Sequence, residues 1–206
     1  SSSSVEIDPD RIQTVIPNDF EMPPGGLNIR WPDTPLEQEA RLNNYKWYAA
    51  LAYVRANKLD KIVIDSPNAR FGIMTAGKAY LDVRQALFDL GLDEQTCTRI
   101  GIRLYKVGCV WPLEAQGARN FAQGLDEILV VEEKRQIMEY ALKEELYNWR
   151  DDVRPDVYGK FDARDDGGGE WSVPRGKWLL PPNHELSPSI IAKAIAQQLA
   201  KHPLPQ

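Results

Sequence analysis

GIRLYKVGCVWPLEAQGARNFAQGLDEILVVEEKRQIMEYALKEELYN, residues Gly101–Asn148, carries the clearest structural pattern in this chain of 206 residues. It contains two short apolar runs, and each is followed by apolar residues at helical spacing. A short continuous apolar run is typical of a strand that is buried on both faces, whereas recurrence every three to four residues indicates an amphipathic helix. The segment therefore predicts a strand, a helix, a second strand and a second helix.

The second apolar run, Ile128–Val131, is the clearer of the two strands, and it ends abruptly at the charged residues Glu132–Arg135. Two strands that are joined through a helix form a parallel pair with a right-handed crossover. We therefore expect these two strands to pair with each other and the other elements to pack around them.

The residues before this segment predict a helix and two further strands. Thr34 can cap a helix whose first residue is a proline, and a glutamate three positions after the cap completes a capping box. This helix is predicted to run to about Asn57. The strands Lys61–Asp65 and Phe71–Thr75 are separated by a five-residue turn, which favours an antiparallel hairpin.

The remaining elements complete a layered fold. A helix over Ala79–Leu90 leads through a connection at Asp93 to a strand over residues 99–108, and Ser187 opens a last amphipathic helix. Alternating strands and helices predict an α/β protein. We expect a three-layer α/β/α sandwich with a mixed, mostly parallel sheet of about five strands, which is a typical sheet size, and one antiparallel hairpin.

The 15 prolines cluster near the two ends of the chain, whereas the middle is regular. The expected organisation is an extended arm over residues 1–35, an α/β core over 36–150, and a loop and helix over 151–206 that lead to a next domain. Within the last part, Asp162–Glu170 is expected to be a glycine-rich loop. The arm either packs on its own domain or reaches another one.

The composition limits the possible partners. The formal net charge is -5, which disfavours nucleic acid as a partner. No apolar run approaches the roughly 20 residues that span a bilayer. Two cysteines, Cys97 and Cys109, suit a reducing cytoplasm better than a disulfide framework.

The chemistry of a catalytic site is not evident. The two histidines, His184 and His202, lie near the end of the chain in weak contexts. No nucleophile–histidine–acid arrangement, zinc pattern or cysteine quartet for an iron–sulfur cluster can be proposed.

Two charged features occur where predicted strands end. Gly77 and Lys78 stand between a strand and a helix, an arrangement that can bind phosphate, and Glu132–Arg135 follow the buried strand. Ligands of open α/β sheets bind at the carboxyl ends of the strands, so Gly77, Lys78, Glu132 and Arg135 are the candidate binding residues. The alternative is a tight turn at Gly77 and a helix start at the acidic pair, where the helix dipole favours negative charge.

Five blocks of the chain, in order, resemble one family. They are PNDFEMPPGGLNIRWPD (Pro17–Asp33), ARFGIMTAGKAYLDVRQALFDLGL (Ala69–Leu92), YKVGCVWPLE (Tyr105–Glu114), GLDEILVVEEKR (Gly124–Arg135) and WLLPPNHELSPSIIAKAI (Trp178–Ile195). Together they resemble the long bacterial indolepyruvate:ferredoxin oxidoreductases, which use thiamine diphosphate. The stretch Tyr105–Arg135 resembles the transketolase C-terminal-like domain of these enzymes, and Trp178–Ile195 resembles the segment just before their diphosphate-binding domain. The thiamine-binding motif and the cluster cysteines of those enzymes are absent from these 206 residues, so the chain resembles their middle domain alone.

The resemblance implies a parent enzyme that decarboxylates arylpyruvates oxidatively to acyl-CoA, with ferredoxin as the electron acceptor. It implies thiamine diphosphate, Mg²⁺, [4Fe-4S] clusters and coenzyme A in a homodimeric parent, none of them bound by this fragment. The domain would be a noncatalytic packing partner that orients the thiamine-binding domains. Two alternatives are a module that binds coenzyme A or another anion at the strand ends, and a free-standing interaction protein.

Overall fold

The computed structural model describes residues 4, 6–28, 30–162 and 178–201. The predicted loop at 162–170 lies outside this part of the chain from residue 163 onward, as does His202. The chain divides into two compact units, residues 1–58 and 59–206.

The first unit is built on a helix whose start was predicted. Thr34 accepts a hydrogen bond from the Glu37 N–H at 3.3 Å, and the Glu37 carboxylate accepts one from the Thr34 N–H at 2.7 Å, which completes the capping box. The helical elements of this unit are a 3₁₀ turn Pro9–Arg11, α1 Pro35–Arg41, a π-helical segment Leu42–Lys46 and α2 Trp47–Ala56. The predicted helix is therefore confirmed, with a π-helical segment in its middle.

The segment before this helix is bound to it. The Asn57 side chain accepts a hydrogen bond from the Val15 N–H at 2.7 Å and donates one to the Val15 carbonyl oxygen at 2.9 Å. Arg55 forms an ion pair with Asp19 at 2.7 Å. Part of the proline-rich segment thus packs along the helix of its own unit.

In the residues of the second unit that the structure describes, a sheet of five strands has helices on both faces. Its strands are β1 Lys61–Ile64, β2 Phe71–Ala76, β3 Ile102–Val107, β4 Glu127–Val131 and β5 Asp156–Tyr158. Its helices are α3 Gly77–Asp89, α4 Glu94–Ile100, α5 Ala115–Ala122, α6 Met138–Leu146 and α7 Pro188–Leu199. The strand order is β1-β3-β2-β4-β5, and among these described strands the β1–β3 pair is antiparallel and the other pairs are parallel.

The antiparallel strand exists, but the predicted hairpin is wrong. β1 pairs with β3 rather than β2, with Ile62 opposite Tyr105. β1 is short and exposes its first residues, as an edge strand does, whereas the first five residues of β2 are buried. A strand buried on both faces belongs inside the sheet, so β3 lies between the two strands that the short turn connects.

The expected direct pairing of the two strands of Gly101–Asn148 is also wrong. β3 and β4 both run parallel to β2 and pair with it on opposite sides, so they do not pair with each other. Within β2, Ile73 lies opposite Leu104 of β3 and Leu129 of β4, and all three residues are fully buried. β2 is therefore the centre of the sheet.

One helix was missed. α4 occupies residues that were predicted to form a connection. Its N-cap residue, Asp93, accepts a hydrogen bond from the Thr96 N–H at 2.7 Å. Its C-cap residue, Gly101, has a φ of 88°. A cap and a left-handed glycine are the usual signals of helix ends. The helix has only seven residues, so its apolar periodicity is too short to detect.

Side chains alternate between the two faces of the sheet. On one face, Ile73, Leu104 and Leu129 pack in a core with α3, α4 and α7; on the other, Met74 and Val130 pack with α5 and α6. This confirms the three-layer α/β/α sandwich with a mostly parallel five-stranded sheet. The predicted last helix is α7, which the Ser187 side chain caps.

The structure places α7 in the core of the second unit. The expected boundaries at residues 35 and 150 stay predictions about the domains of a longer chain. In the described ranges, no helix has both the length and the apolar character needed to cross a membrane.

Candidate functional site

The carboxyl ends of β2, β3 and β4 surround a crevice of about 400 Å³. All four candidate residues from the sequence, Gly77, Lys78, Glu132 and Arg135, line it. They come together because parallel strands end at the same edge of a sheet. What each residue does there depends on its partners.

Gly77 makes the turn from β2 into α3. Its φ is +54°, and an added Cβ would meet no atom within 4 Å. The position requires a left-handed backbone that glycine adopts without strain. The tight-turn interpretation accounts for this residue.

Lys78 is held by acidic groups. Its Nζ lies 2.5 Å from the Asp82 carboxylate and 3.2 Å from Glu185, and it donates a hydrogen bond to the Leu186 carbonyl oxygen at 3.1 Å. The hydrogen bond to Asp82 is the main reason why the pKa of Lys78 lies above its ordinary value. Lys78 therefore connects α3 to the segment before α7, and its charge is largely matched within the protein.

Glu132 caps the helix that follows it. Its buried carboxylate accepts hydrogen bonds from the N–H groups of Ile137, Met138 and Glu139 at 2.9–3.0 Å. These N–H groups at the start of α6 have no partner within the helix, so an acceptor here stabilises the helix start. The helix-start interpretation therefore describes Glu132.

The next residues bind the segment that leads into α7. Glu133 accepts a hydrogen bond from the Leu186 N–H at 3.1 Å, and Lys134 donates one to the carbonyl oxygen of His184 at 3.1 Å. Arg135 is exposed at the crevice. The charged run after β4 thus joins the sheet to a segment fifty residues away.

Lys160 is a charged residue of this region that sequence reasoning missed. It follows β5 and is 1% exposed, and its Nζ donates a hydrogen bond to the Glu132 carbonyl oxygen at 2.5 Å. Its own N–H donates to the Glu139 carboxylate at 3.1 Å. Burial lowers the pKa of Lys160 below its ordinary value, although the carboxylates of Glu132, Glu133 and Glu139 oppose that effect. The residue stands in a stretch that lacks periodicity, so only its tertiary contacts identify it.

A carboxyl group also lies at the end of β3. Asp60 accepts hydrogen bonds from the Gly108 N–H at 2.7 Å and the Cys109 N–H at 3.2 Å. Burial raises the pKa of Asp60, and the two backbone donors oppose the shift. Burial also raises the pKa of Tyr105, whose hydroxyl donates to Asp60 at 3.4 Å. This cluster holds the loop that lines one side of the crevice.

The charges that line the crevice balance each other, with Lys78 and Arg135 against Glu132 and Glu133. Across the residues whose placement is described, no group of three or more His, Cys, Asp or Glu side chains is placed to hold a metal ion. The apolar part of the lining comes from Val107, Val110, Ile137 and Met138. The charged residues thus join secondary-structure elements, and the opening of the crevice is partly apolar.

The layered mixed sheet and its strand-end crevice define an α/β domain of the open-sheet class. The sequence model of the family described as "Indolepyruvate ferredoxin oxidoreductase middle domain" matches residues 60–206. The chain belongs to this family, as its five resembling blocks predicted.

Curated relatives carry the same family name. The chain is 28% identical over 140 residues to the indolepyruvate oxidoreductase subunit IorA of Methanothermobacter thermautotrophicus, which is 68% of this chain and 19% of the relative. It is 30% identical over 98 residues to IorA of Pyrococcus abyssi, which is 47% of this chain and 14% of the relative. The chain thus spans less than a fifth of the length of these relatives.

Two solved structures are similar at low identity. One is a 2-oxoglutarate:ferredoxin oxidoreductase from Magnetococcus marinus with 2-oxoglutarate, coenzyme A and succinyl-CoA bound, with a TM-score of 0.40 and 16% identity over 79% of this chain and 21% of that chain. The other is a split-gene transketolase, described as an inactive β4 tetramer, with a TM-score of 0.40 and 12% identity over 68% of this chain and 41% of that chain.

Proposed function

We propose that this chain is a noncatalytic domain of an indolepyruvate ferredoxin oxidoreductase, and that it packs against the thiamine-binding domains of the parent enzyme and orients them. The observation that carries the proposal is the use of charge at the strand ends. Glu132 caps α6, and Lys78 is bound to Asp82 and to the Leu186 carbonyl oxygen. Charged groups at this edge hold helices and the segment before α7 in place, a structural role that suits a packing partner.

Apolar side chains at the same edge support the proposal. Val110 and Ile137 line the crevice and are 40% and 50% exposed, and Trp111 is 61% exposed. Exposed apolar residues that lie together mark surfaces of interaction. The proposed contact with a neighbouring domain therefore includes Val110 and Ile137 at the crevice, together with Trp111, which follows Val110 in the chain.

The parent enzyme would act on arylpyruvates. Its thiamine diphosphate, with Mg²⁺, would carry the decarboxylation, its [4Fe-4S] clusters would pass electrons to ferredoxin, and coenzyme A would take the acyl group, all held by other domains of a cytoplasmic homodimer. In such cofactor enzymes the cofactors carry the chemistry, and the protein positions and shields them. This domain would contribute only by positioning the thiamine-binding domains.

Two experiments test the role. The isolated chain, supplied with indolepyruvate, thiamine diphosphate, Mg²⁺, coenzyme A and ferredoxin, is expected to show no turnover, and measurable turnover would overturn the proposal. In the parent enzyme, Ile137→Asp and Trp111→Asp should reduce assembly in size-exclusion chromatography and lower activity in parallel. Tyr147→Asp is the control, since Tyr147 is 74% exposed at the other end of α6. Equal effects of all three variants would contradict a contact at the crevice.

The second candidate is a module that binds coenzyme A or another anion in the crevice. It is favoured by the position of Gly77, Lys78, Glu132 and Arg135 around one cavity. Calorimetry with coenzyme A decides it: heat that Lys78→Ala diminishes would support the module, and no heat from folded protein would exclude it. The acids that already pair with Lys78 weigh against this candidate.

A further inference from the structure

A second and larger cavity lies at the opposite edge of the sheet. It encloses about 770 Å³ around the start of β2, the turn between α4 and β3, and the loop between α5 and β4. Ligand sites typically measure about 300–1,000 Å³. None of the candidate residues from the sequence lines this cavity.

The charges around the cavity are mostly positive. Its lining includes Arg70, Arg99 and Arg103 against one acid, Asp126, whereas the lining of the strand-end crevice has equal numbers of cations and anions. The whole chain has a formal net charge of -5. A local excess of arginine in an acidic chain is a specific feature of this cavity.

Arg103 is built into the wall. Its Nε pairs with Asp65 at 2.6 Å, and its guanidinium donates to the carbonyl oxygens of Phe121 and Gln123 at 2.9 Å. The side chain is 14% exposed. These bonds hold one guanidinium in place between β3 and the end of α5.

Arg70 and Arg99 are the accessible cations. Arg70 uses its Nε for an ion pair with Asp126 at 2.6 Å, and its side chain remains 69% exposed. Arg99 is exposed in the last turn of α4, and its charge helps to lower the pKa of Asp93. Its side chain makes no hydrogen bond or ion pair with any residue that the structure describes. Guanidinium groups suit phosphate because they can donate two parallel hydrogen bonds to its oxygens.

The rest of the lining is partly apolar. Pro67, Ala69, Phe71, Ile100 and Leu199 contribute to it, and Phe71 and Leu199 belong to the core. Sites for small molecules usually combine apolar walls with a few placed polar groups. We propose that this cavity binds a phosphate-bearing small molecule, with the phosphate on Arg99 and Arg70 and the organic part on the apolar wall.

The test uses the intact 206-residue chain and two probes, phenyl phosphate and inorganic phosphate, in calorimetric titrations. Phenyl phosphate is expected to bind at one site and more tightly than inorganic phosphate, because its ring can cover the apolar wall. Arg99→Gln should weaken binding about fivefold to tenfold by removing a charge-assisted contact. Arg70→Gln should weaken it further, since it also leaves Asp126 without its cation.

Asp126→Asn gives a change of opposite sign. It removes the single acid of the lining, so phenyl phosphate should bind about threefold more tightly or better. Arg119→Gln is the matched control, since Arg119 is an exposed arginine paired with Glu145 outside the cavity. It should leave binding within about twofold.

The proposal fails if folded wild-type protein binds neither probe at millimolar concentration. It also fails if Arg99→Gln and Arg119→Gln have the same effect, which would indicate general attraction to charge. Binding that is lost in Lys78→Gln and retained in Arg99→Gln would overturn it in favour of the crevice at the other edge. All three results are independent of whether the domain orients its neighbours.

Discussion

The amine of Lys160 donates a hydrogen bond to the backbone carbonyl oxygen of Glu132, with the two atoms 2.5 Å apart in the interior of the protein. The carboxylate of the same glutamate caps α6. Glu132 thus joins the residues after β5 to the start of the helix that follows β4. A buried amine and a buried carboxylate act here as structural connectors.

Replacing Lys160 with methionine should destabilise the protein. Methionine preserves much of the apolar stem but leaves the Glu132 carbonyl oxygen without its donor, and an unsatisfied buried polar group costs about 1–3 kcal/mol. Urea denaturation measures the loss. Lys193→Met, an exposed lysine on α7, is the control and should change the free energy of unfolding by less than about 0.5 kcal/mol.

The effect of Lys160 should depend on pH. Because burial lowers its pKa in the folded protein below the ordinary value of 10.5, the unfolded chain binds more protons between those two values. The free energy of unfolding of the wild type should therefore rise, relative to Lys160→Met, as the pH increases through the lowered pKa toward 10.5. Denaturation at several alkaline pH values measures the difference, and a constant difference would contradict it.

Glu132→Ala should destabilise the first turn of α6. The three backbone N–H groups that donate hydrogen bonds to the carboxylate would lose their acceptor, at a cost of about 2–3 kcal/mol. Hydrogen exchange of the Ile137, Met138 and Glu139 amides should accelerate, whereas Glu144→Ala, on an exposed position of the same helix, should leave them protected. Unchanged protection in Glu132→Ala would show that the cap is unimportant.

Gly101→Ala should be more destabilising than Gly91→Ala. Both glycines have a left-handed φ, +88° and +72°, which costs about 1–2 kcal/mol for a residue with a Cβ. A Cβ on Gly101 would also lie 2.7 Å from the backbone oxygen of Asn68, whereas one on Gly91 would meet nothing within 4 Å. Denaturant midpoints of the two variants measure the contribution of the backbone contact, and equal midpoints would argue against it.

Asp60→Asn tests the cluster at the end of β3. The pKa of Asp60 is raised above 3.8 in the folded protein, so the folded state binds the proton more tightly than the unfolded chain. The stability that this protonation contributes is lost as the pH rises through the raised pKa. An asparagine oxygen can still accept from the Gly108 N–H without a buried charge, so the stability of the wild type should fall relative to the variant as the pH rises from about 3.8 through the raised pKa. Denaturation at several pH values measures this change. An increase in the stability of the wild type relative to the variant as the pH rises would contradict the prediction.

The positions of the four candidate residues followed from strand direction alone, because parallel strands bring their carboxyl ends to one edge. The partners of these residues could not be predicted in this way. Lys78 meets Glu185 and Leu186, more than a hundred residues later, and no local pattern predicts such a contact. The arginines of the opposite cavity were equally hidden, since Arg70, Arg99 and Arg103 belong to no motif and lie on different elements.

The errors in the fold had a similar cause. A short turn between β1 and β2 predicts a hairpin, yet β3 is inserted between them. Which strand lies beside which depends on burying β2 from both sides, and that requirement involves residues from the whole unit. Local turn length carries no information about it.

Periodicity, capping residues and apolar runs are local properties, because each can be recognised within a short window of the chain. From them alone followed the main helices and strands, the layered α/β class and the edge at which the candidate residues meet. Sheet order, the contact of Lys78 with Leu186 and the burial of Lys160 depend on packing between remote segments. Those features arise only when the core excludes water and leaves each buried polar group to find its partner elsewhere in the chain.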